Sequence, residues 1–216
     1  SGTWGTAFQL SPGLAVEPAV ILNAAGQGAA GYIQRETDPN GNWNEILWAR
    51  RYVNGAWEAA ERVSHDTAEP YGMYAFDPQV GVDANGTVFA AWRQSDSTAS
   101  DLDGVWVSRH DGTGWSAPLR LDTIYSAYAE GLALSVGSGG TAVVAWIENT
   151  TPYDPGQVGG GPMLPNTWVI VYDNGWQTAE KIGNPDLAGF DASTRPSVSV
   201  NADGDAAVAW EEHTNA

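Results

Sequence analysis

The chain has 216 residues, no Cys and a formal net charge of −17. A disulfide framework is therefore excluded, nucleic acid and anionic membrane are disfavoured as partners, and no apolar run approaches the ~18 residues of a membrane span. Hydrophobic residues make up 43%, enough for a core, and eleven Trp with eight Tyr make that core rich in amphipathic rings.

In chain order, Trp4 to Leu10 reads as a strand, followed by Pro18, Val20 and Leu22 at alternate positions and a turn at Gly26. A returning strand ends at Tyr32. After a polar stretch, Ile46–Tyr52 forms a third strand, Asn54-Gly55 turns the chain, and Trp57 to Val63 forms a fourth. The same grammar then returns. Pro78, Val80, Val82, Gly86 and Trp92 repeat the first spacing, and Val105–His110 and Trp115–Leu121 complete the copy. A third copy runs through Leu132, Leu134, Val136, Gly140 and Trp146, then Trp168–Tyr172 and Trp176–Ile182. A fourth begins at Pro196, Val198, Val200 and Gly204 and reaches Trp210. The opening Trp positions step by 53, 58 and 61 residues (57−4, 115−57, 176−115). Self-similarity at this period means one supersecondary unit copied along the chain, which cannot bury its apolar face alone.

Four short antiparallel strands per unit predict an all-β fold, a β-propeller of four repeats with about four blades, the last incomplete. We label the strands of a blade A to D. The expected boundaries are 1–17 for an N-terminal closing D strand, 18–77, 78–131 and 132–195 for three full blades, and 196–216 for a partial fourth. A closed ring of four such blades needs one more strand than this grammar supplies. Three explanations stay open: an imperfect closure, a strand donated by another chain, or a segment of a longer propeller.

The A–B and C–D turns are short and stereotyped, whereas the B–C and D–A connections are long and varied. Variable loops on a rigid scaffold are where binding usually lives. That face carries the aromatics Trp43, Tyr71, Tyr74, Tyr125, Tyr128 and Tyr153, suited to sugar stacking. Two residues past the last aromatic of each B strand stand Gln34, Gln94, Glu148 and Glu212, which equivalence would arrange as a polar ring for a ligand.

For metals, Asp101 and Asp103 form an oxygen-rich turn, and the acidity of the chain makes bound calcium an expectation to test. Asp38–Asn42 fails the EF-hand pattern, with its Gly at the wrong position and Ala49 where the bidentate Glu belongs. His65, His110 and His213 end three unlike strands and read as surface imidazoles, with copper a remote alternative. No nucleophile elbow, P-loop or dinucleotide fingerprint is present. Carboxylate pairs for glycoside cleavage are invisible to spacing when they lie on different blades.

The consensus Pro-x-Val-x-Val-Asp-x-x-Gly, then Trp, then Val-Trp-x-x-Arg-(Tyr/His), then Gly-x-Trp resembles repeats of bacterial secreted and surface β-propeller proteins. More distantly it resembles sialidase-type and lectin propellers. The sialidase Asp box has only a loose echo in Ser199–Gly204, and the arginine triad of that family is not assignable by spacing among Arg35, Arg50, Arg51, Arg62, Arg93, Arg109, Arg120 and Arg195. The resemblance implies a secreted, extracellular or cell-surface protein. A chain of that kind has shed its signal peptide, in keeping with its absence here.

Together these readings predict a non-catalytic binding or adhesion module, not an enzyme, that recognises a glycan or other surface ligand through the B–C and D–A face. The alternative is a structural surface protein that self-associates by strand complementation at its open blade edge. A metal-binding protein and a glycoside-active enzyme are further alternatives. No nucleic acid partner and no membrane insertion are expected.

Overall fold

The computed structural model describes residues 3, 5–37, 41–64, 74–95, 103–122, 127–150, 164–183 and 195–211, with backbone only at 127, 128, 149, 150, 164 and 165. Every regular element among them is a strand.

The first unit comprises β1 (Ala15–Leu22), β2 (Gly28–Thr37), β3 (Trp43–Val53) and two short pieces, β4 (Ala56–Trp57) and β5 (Glu61–Arg62), which both pair with β3. The second comprises β6 (Tyr74–Val82), β7 (Val88–Ser95), β8 (Asp103–His110) and β9 (Leu119–Arg120). The third comprises β10 (Ala127–Val136), β11 (Ala142–Thr150), β12 (Leu164–Tyr172) and β13 (Glu180–Lys181). A final hairpin pairs β14 (Ser197–Val200) with β15 (Ala206–Ala209). Each unit is an antiparallel meander. The first two are joined by a single parallel pairing of Glu45 with Tyr74.

The recurring Trp residues occupy like settings. Trp57 packs on Tyr52 with ring centroids 5.1 Å apart, Trp115 on His110 at 5.3 Å and Trp176 on Tyr172 at 5.3 Å. In each case the Trp bridges back to the end of the third strand of its own unit. The outer strand expected to run unbroken from each Trp shortens instead to that pairing plus a two-residue strand.

The second strand of each unit is buried on both sides. Val88–Trp92 and Ala142–Glu148 have no exposed residue, and Ala29, Ala30, Tyr32 and Ile33 are equally buried. Continuous apolar runs replace strand alternation where a sheet is covered on both faces, and the Ala residues let the neighbouring layers approach. Two main clusters result. One joins the second and third units through Val105, Leu121, Leu132 and Trp146. The other joins the first and second through Ile33, Leu47, Val63 and Trp92.

The first strands of successive units touch one another, β1 on β6, β6 on β10 and β10 on β14. A Cβ on Gly81 of β6 would lie 2.3 Å from Val136 Cγ2 of β10, so this glycine is required by close approach. The turns at one end of these strands share a side-chain cap. Asn23 Oδ1 accepts from the Ala25 and Gln27 amides, Asp83 Oδ1 from Asn85 and Thr87, and Asn201 Oδ1 from Asp203 and Asp205. These are Asx turns, and the side-chain acceptor works together with the positive φ of Gly26, Gly86 and Gly204.

Three expectations are corrected. Residues 5–10 form no strand, and among the described residues nothing pairs with the hairpin β14–β15 to close a ring. The first strands begin before Pro18, Pro78 and Leu132, because each runs through a bulge. His110 is buried, not a surface imidazole. Its Nδ1 meets the Gly112 amide at 3.0 Å and Arg51 Nη1 at 3.2 Å. Burial, and then the Arg51 charge, lower its pKa. His65, His213, Asp101, Tyr71, Tyr125, Tyr153 and Glu212 lie outside the described residues, as does the side chain of Tyr128.

Candidate functional site

The pairing register of the first strands slips at one equivalent place, between Val16 and Ala19, between Phe76 and Gln79, and between Glu130 and Ala133. The residue at each slip is left-handed: Glu17 with φ 52°, Asp77 with φ 53° and Gly131 with φ 57°. Glycine adopts this conformation freely, whereas for Glu and Asp it costs about 1–2 kcal/mol. Strain of this kind clusters at functional sites. Two of the three units thus place a carboxylate where a glycine would sit without strain.

These bulges converge. Glu17, Asp77, Glu130 and Gly131, with Phe76, Arg93 and Arg195, line a cavity of about 600 Å³. It lies at the end of the first strands from which the long connections leave. The Asp77 amide donates to Glu17 Oε2 at 2.6 Å. Arg195 Nη2 donates to Asp77 Oδ1 at 2.5 Å, and Gln79 Nε2 donates to the same oxygen at 3.3 Å. Arg93 stacks over the Phe76 ring at 4.4 Å and donates to Asp103 at 2.8 Å. Among the described residues the Glu130 carboxylate has no hydrogen-bond partner.

None of Glu17, Asp77, Glu130 or Arg195 stood out in the sequence. The signal was the residue immediately before each repeat's Pro18, Pro78 and Pro196, masked by reading proline as a strand start. A residue before proline is ordinarily extended, so a left-handed bulge there is unexpected.

The polar positions after the second strands behave differently from the expected ring. Gln94 is buried and accepts from Trp92 Nε1 at 3.0 Å. Gln34 is half-buried, accepting from Ser11 and donating to Glu36. Glu148 is 1% exposed and its Oε1 has no hydrogen-bond partner. Burial, and secondarily the Asp122 carboxylate, push the Glu148 pKa from 4.5 up to about 7, while the Trp146 indole and Arg120 oppose the shift. Asp122 is itself buried, clasped by Arg120 at 2.6 Å and accepting the Val105 amide at 2.8 Å. In the preceding unit Ser64 takes the place of Asp122, with its Oγ accepting the Leu47 amide at 3.0 Å, and Gln94 takes that of Glu148. Gln94 and Glu148 are buried, and Gln34 is half-buried against Ser11 and Glu36.

Trp43 and Tyr74 are exposed, at 62% and 43%, and share a second cavity of about 390 Å³ with Leu14, Arg35, Asn44 and Glu45. Asp103 is committed to its ion pair with Arg93, and among the described residues no group of three His, Cys, Asp or Glu is placed to hold a metal.

No protein-family description and no curated protein sequence matches the chain. Among solved structures it is similar to the Hadza microbial sialidase Hz136, at 16% identity and a TM-score of 0.57, covering 91% of this chain and 45% of that one. It is also similar to an ulvan lyase of polysaccharide lyase family 25, at 13% identity and a TM-score of 0.53, covering 87% and 47%. A third is the GH93 α-L-arabinofuranosidase of Fusarium graminearum in complex with arabinobiose, at 10% identity and a TM-score of 0.51, covering 90% and 58%. The chain spans about half the length of these structures, which are β-propellers. Each is by its name an enzyme acting on carbohydrate. This corrects the expectation of a non-catalytic binding or adhesion module, and with it the expectation that the chain is not an enzyme.

Proposed function

We propose that the chain forms successive blades of a β-propeller and that the cavity at Glu17, Asp77 and Glu130 cleaves a glycosidic bond of a carbohydrate substrate. The observation that carries this reading is the convergence of three carboxylates from the bulges of β1, β6 and β10 on one cavity of about 600 Å³. Glycoside hydrolysis needs a proton donor for the leaving oxygen and a second carboxylate that attacks the sugar or activates water. Asp77, fixed on Oδ1 by Arg195 and Gln79, is the positioned carboxylate. Glu130, held by no other described residue, is the proton donor. Hydrolysis is the reading taken because carboxylates are the titratable acids that line the cavity among the described residues, and a carboxylate pair is what that reaction uses. An extracellular location belongs to the same reading, since polymeric carbohydrate is met outside the cell.

The test is release of reducing ends from arabinan, sialylated oligosaccharide and ulvan by the protein and by its Asp77→Asn and Glu130→Gln variants. Each substitution is expected to lower kcat at least about a hundredfold on the polymer that is cleaved. Failure to cleave any of the three, or full activity in both variants, removes the proposal.

A further inference from the structure

Trp43 and Tyr74 are the first residues of β3 and β6, the two strands joined by the single parallel pairing between units. Both rings are large, exposed and part of the wall of one cavity. Leu14, itself exposed, adds a further apolar side chain to that lining. Its rim holds the Arg35–Glu45 ion pair, at 2.8 Å and with side chains 45% and 23% exposed. Exposed aromatic rings bordered by charge-paired donors and acceptors suit a ligand with both apolar faces and hydroxyl edges. A sugar ring has that character: its C–H face stacks on an indole or phenol, and its hydroxyls reach a guanidinium or a carboxylate.

The platform and the candidate catalytic cavity are separate hollows, both lined by residues at the start of β6. Tyr74 precedes Asp77 by three residues on β6, so about 10 Å of strand separates them, a length that accommodates a disaccharide. We propose that Trp43 and Tyr74 form a stacking subsite for the distal units of the carbohydrate chain whose bond lies at Asp77, so that the protein takes oligosaccharides of more than two units. This rests on the hydrolytic reading above for the position of the bond, but not for the existence of the platform.

Binding is measured by titration calorimetry with arabinan-derived and ulvan-derived fragments of two to six units, using the Asp77→Asn protein to prevent turnover. Affinity is expected to rise with length beyond the disaccharide. Adding Trp43→Ala weakens the longest fragment about tenfold and leaves the disaccharide unchanged, whereas Trp43→Phe retains the length dependence. Thermal melting checks that these surface variants fold. Length-independent affinity, equal affinity with and without Trp43, absence of binding by every fragment, or Trp43-dependent binding of a proline-rich peptide in place of sugar overturns the platform. The two proposals fail separately. Trp43-dependent binding without cleavage by the unmodified protein removes hydrolysis and keeps the subsite, and cleavage indifferent to Trp43 does the reverse.

Discussion

Glu17 and Asp77, sixty residues apart, are joined by a hydrogen bond of 2.6 Å from the Asp77 amide to the Glu17 carboxylate. Each is the left-handed residue of its strand's bulge. The link ties the first strand of one unit to the first strand of the next where both are strained. The orientation of Asp77 therefore depends on its neighbour as well as on its own strand, and Arg195 from the far end of the chain clasps the same side chain. With its backbone amide held by Glu17 and its carboxylate by Arg195 and Gln79, Asp77 has little freedom to turn, as a positioned group requires.

Glu17→Ala removes this clasp and leaves the Asp77 amide without its acceptor. It is expected to cost about 1 kcal/mol of stability, read from urea unfolding, and to lower kcat severalfold with KM little changed. Glu17→Gln keeps an acceptor oxygen and is expected to restore most of kcat. Equal kcat in both variants and the parent contradicts a positioning role.

Gly81→Ala inserts a methyl group 2.3 Å from Val136 Cγ2, where β6 and β10 approach. Crowding of this kind costs about 1–3 kcal/mol. Gly114→Ala is the control, because no atom lies within 4 Å of its added Cβ. Denaturant midpoints of the two variants are expected to separate, with only Gly81→Ala falling. Coincident midpoints are incompatible with this packing of first strands.

Glu148 sets a pH dependence whose sign follows from its raised pKa. Between about 4.5, its ordinary value, and about 7, its value in the fold, the folded protein holds a proton that the unfolded chain has released. This contribution to stability therefore declines as pH rises through that window and is constant above it. The displacement corresponds to about 3 kcal/mol. Glu148→Gln removes the decline and supplies the amide that Gln94 offers Trp92 in the preceding unit. The variant is expected to be more stable than the parent at pH 8 and to lose the advantage at pH 4.5. Parallel stability curves for the two proteins between those pH values would rule this out.

Much of the scaffold is legible in the chain. Asn54-Gly55, Gly86 and Gly204 mark turns, and the Trp57, Trp115 and Trp176 series marks the close of each unit, because each acts within a few residues of itself. The outer strands were over-read. The spacing from Trp115 to Leu121 looks like one strand, but only its ends meet β8. The site was mostly illegible. Gln94 and Glu148 stand in register as strand ends, and only the packing of one sheet on the next reveals that they are buried. Glu17 and Asp77 read as residues ahead of a strand because the bulge that carries them leaves no alternation to see. Trp43 and Tyr74, chosen as exposed rings, are exposed and share a cavity, a pairing that no spacing between positions 43 and 74 announces.

The amino-acid order by itself determined a repeated all-β unit, its turns and its order of strands, since these arise from φ preferences, alternation and hydrogen bonds between neighbours in the chain. Which carboxylates line one cavity was decided only in three dimensions. Glu17, Asp77 and Glu130 belong to separate units, and they line one cavity because the first strands pack side by side, with Gly81 letting β6 approach β10.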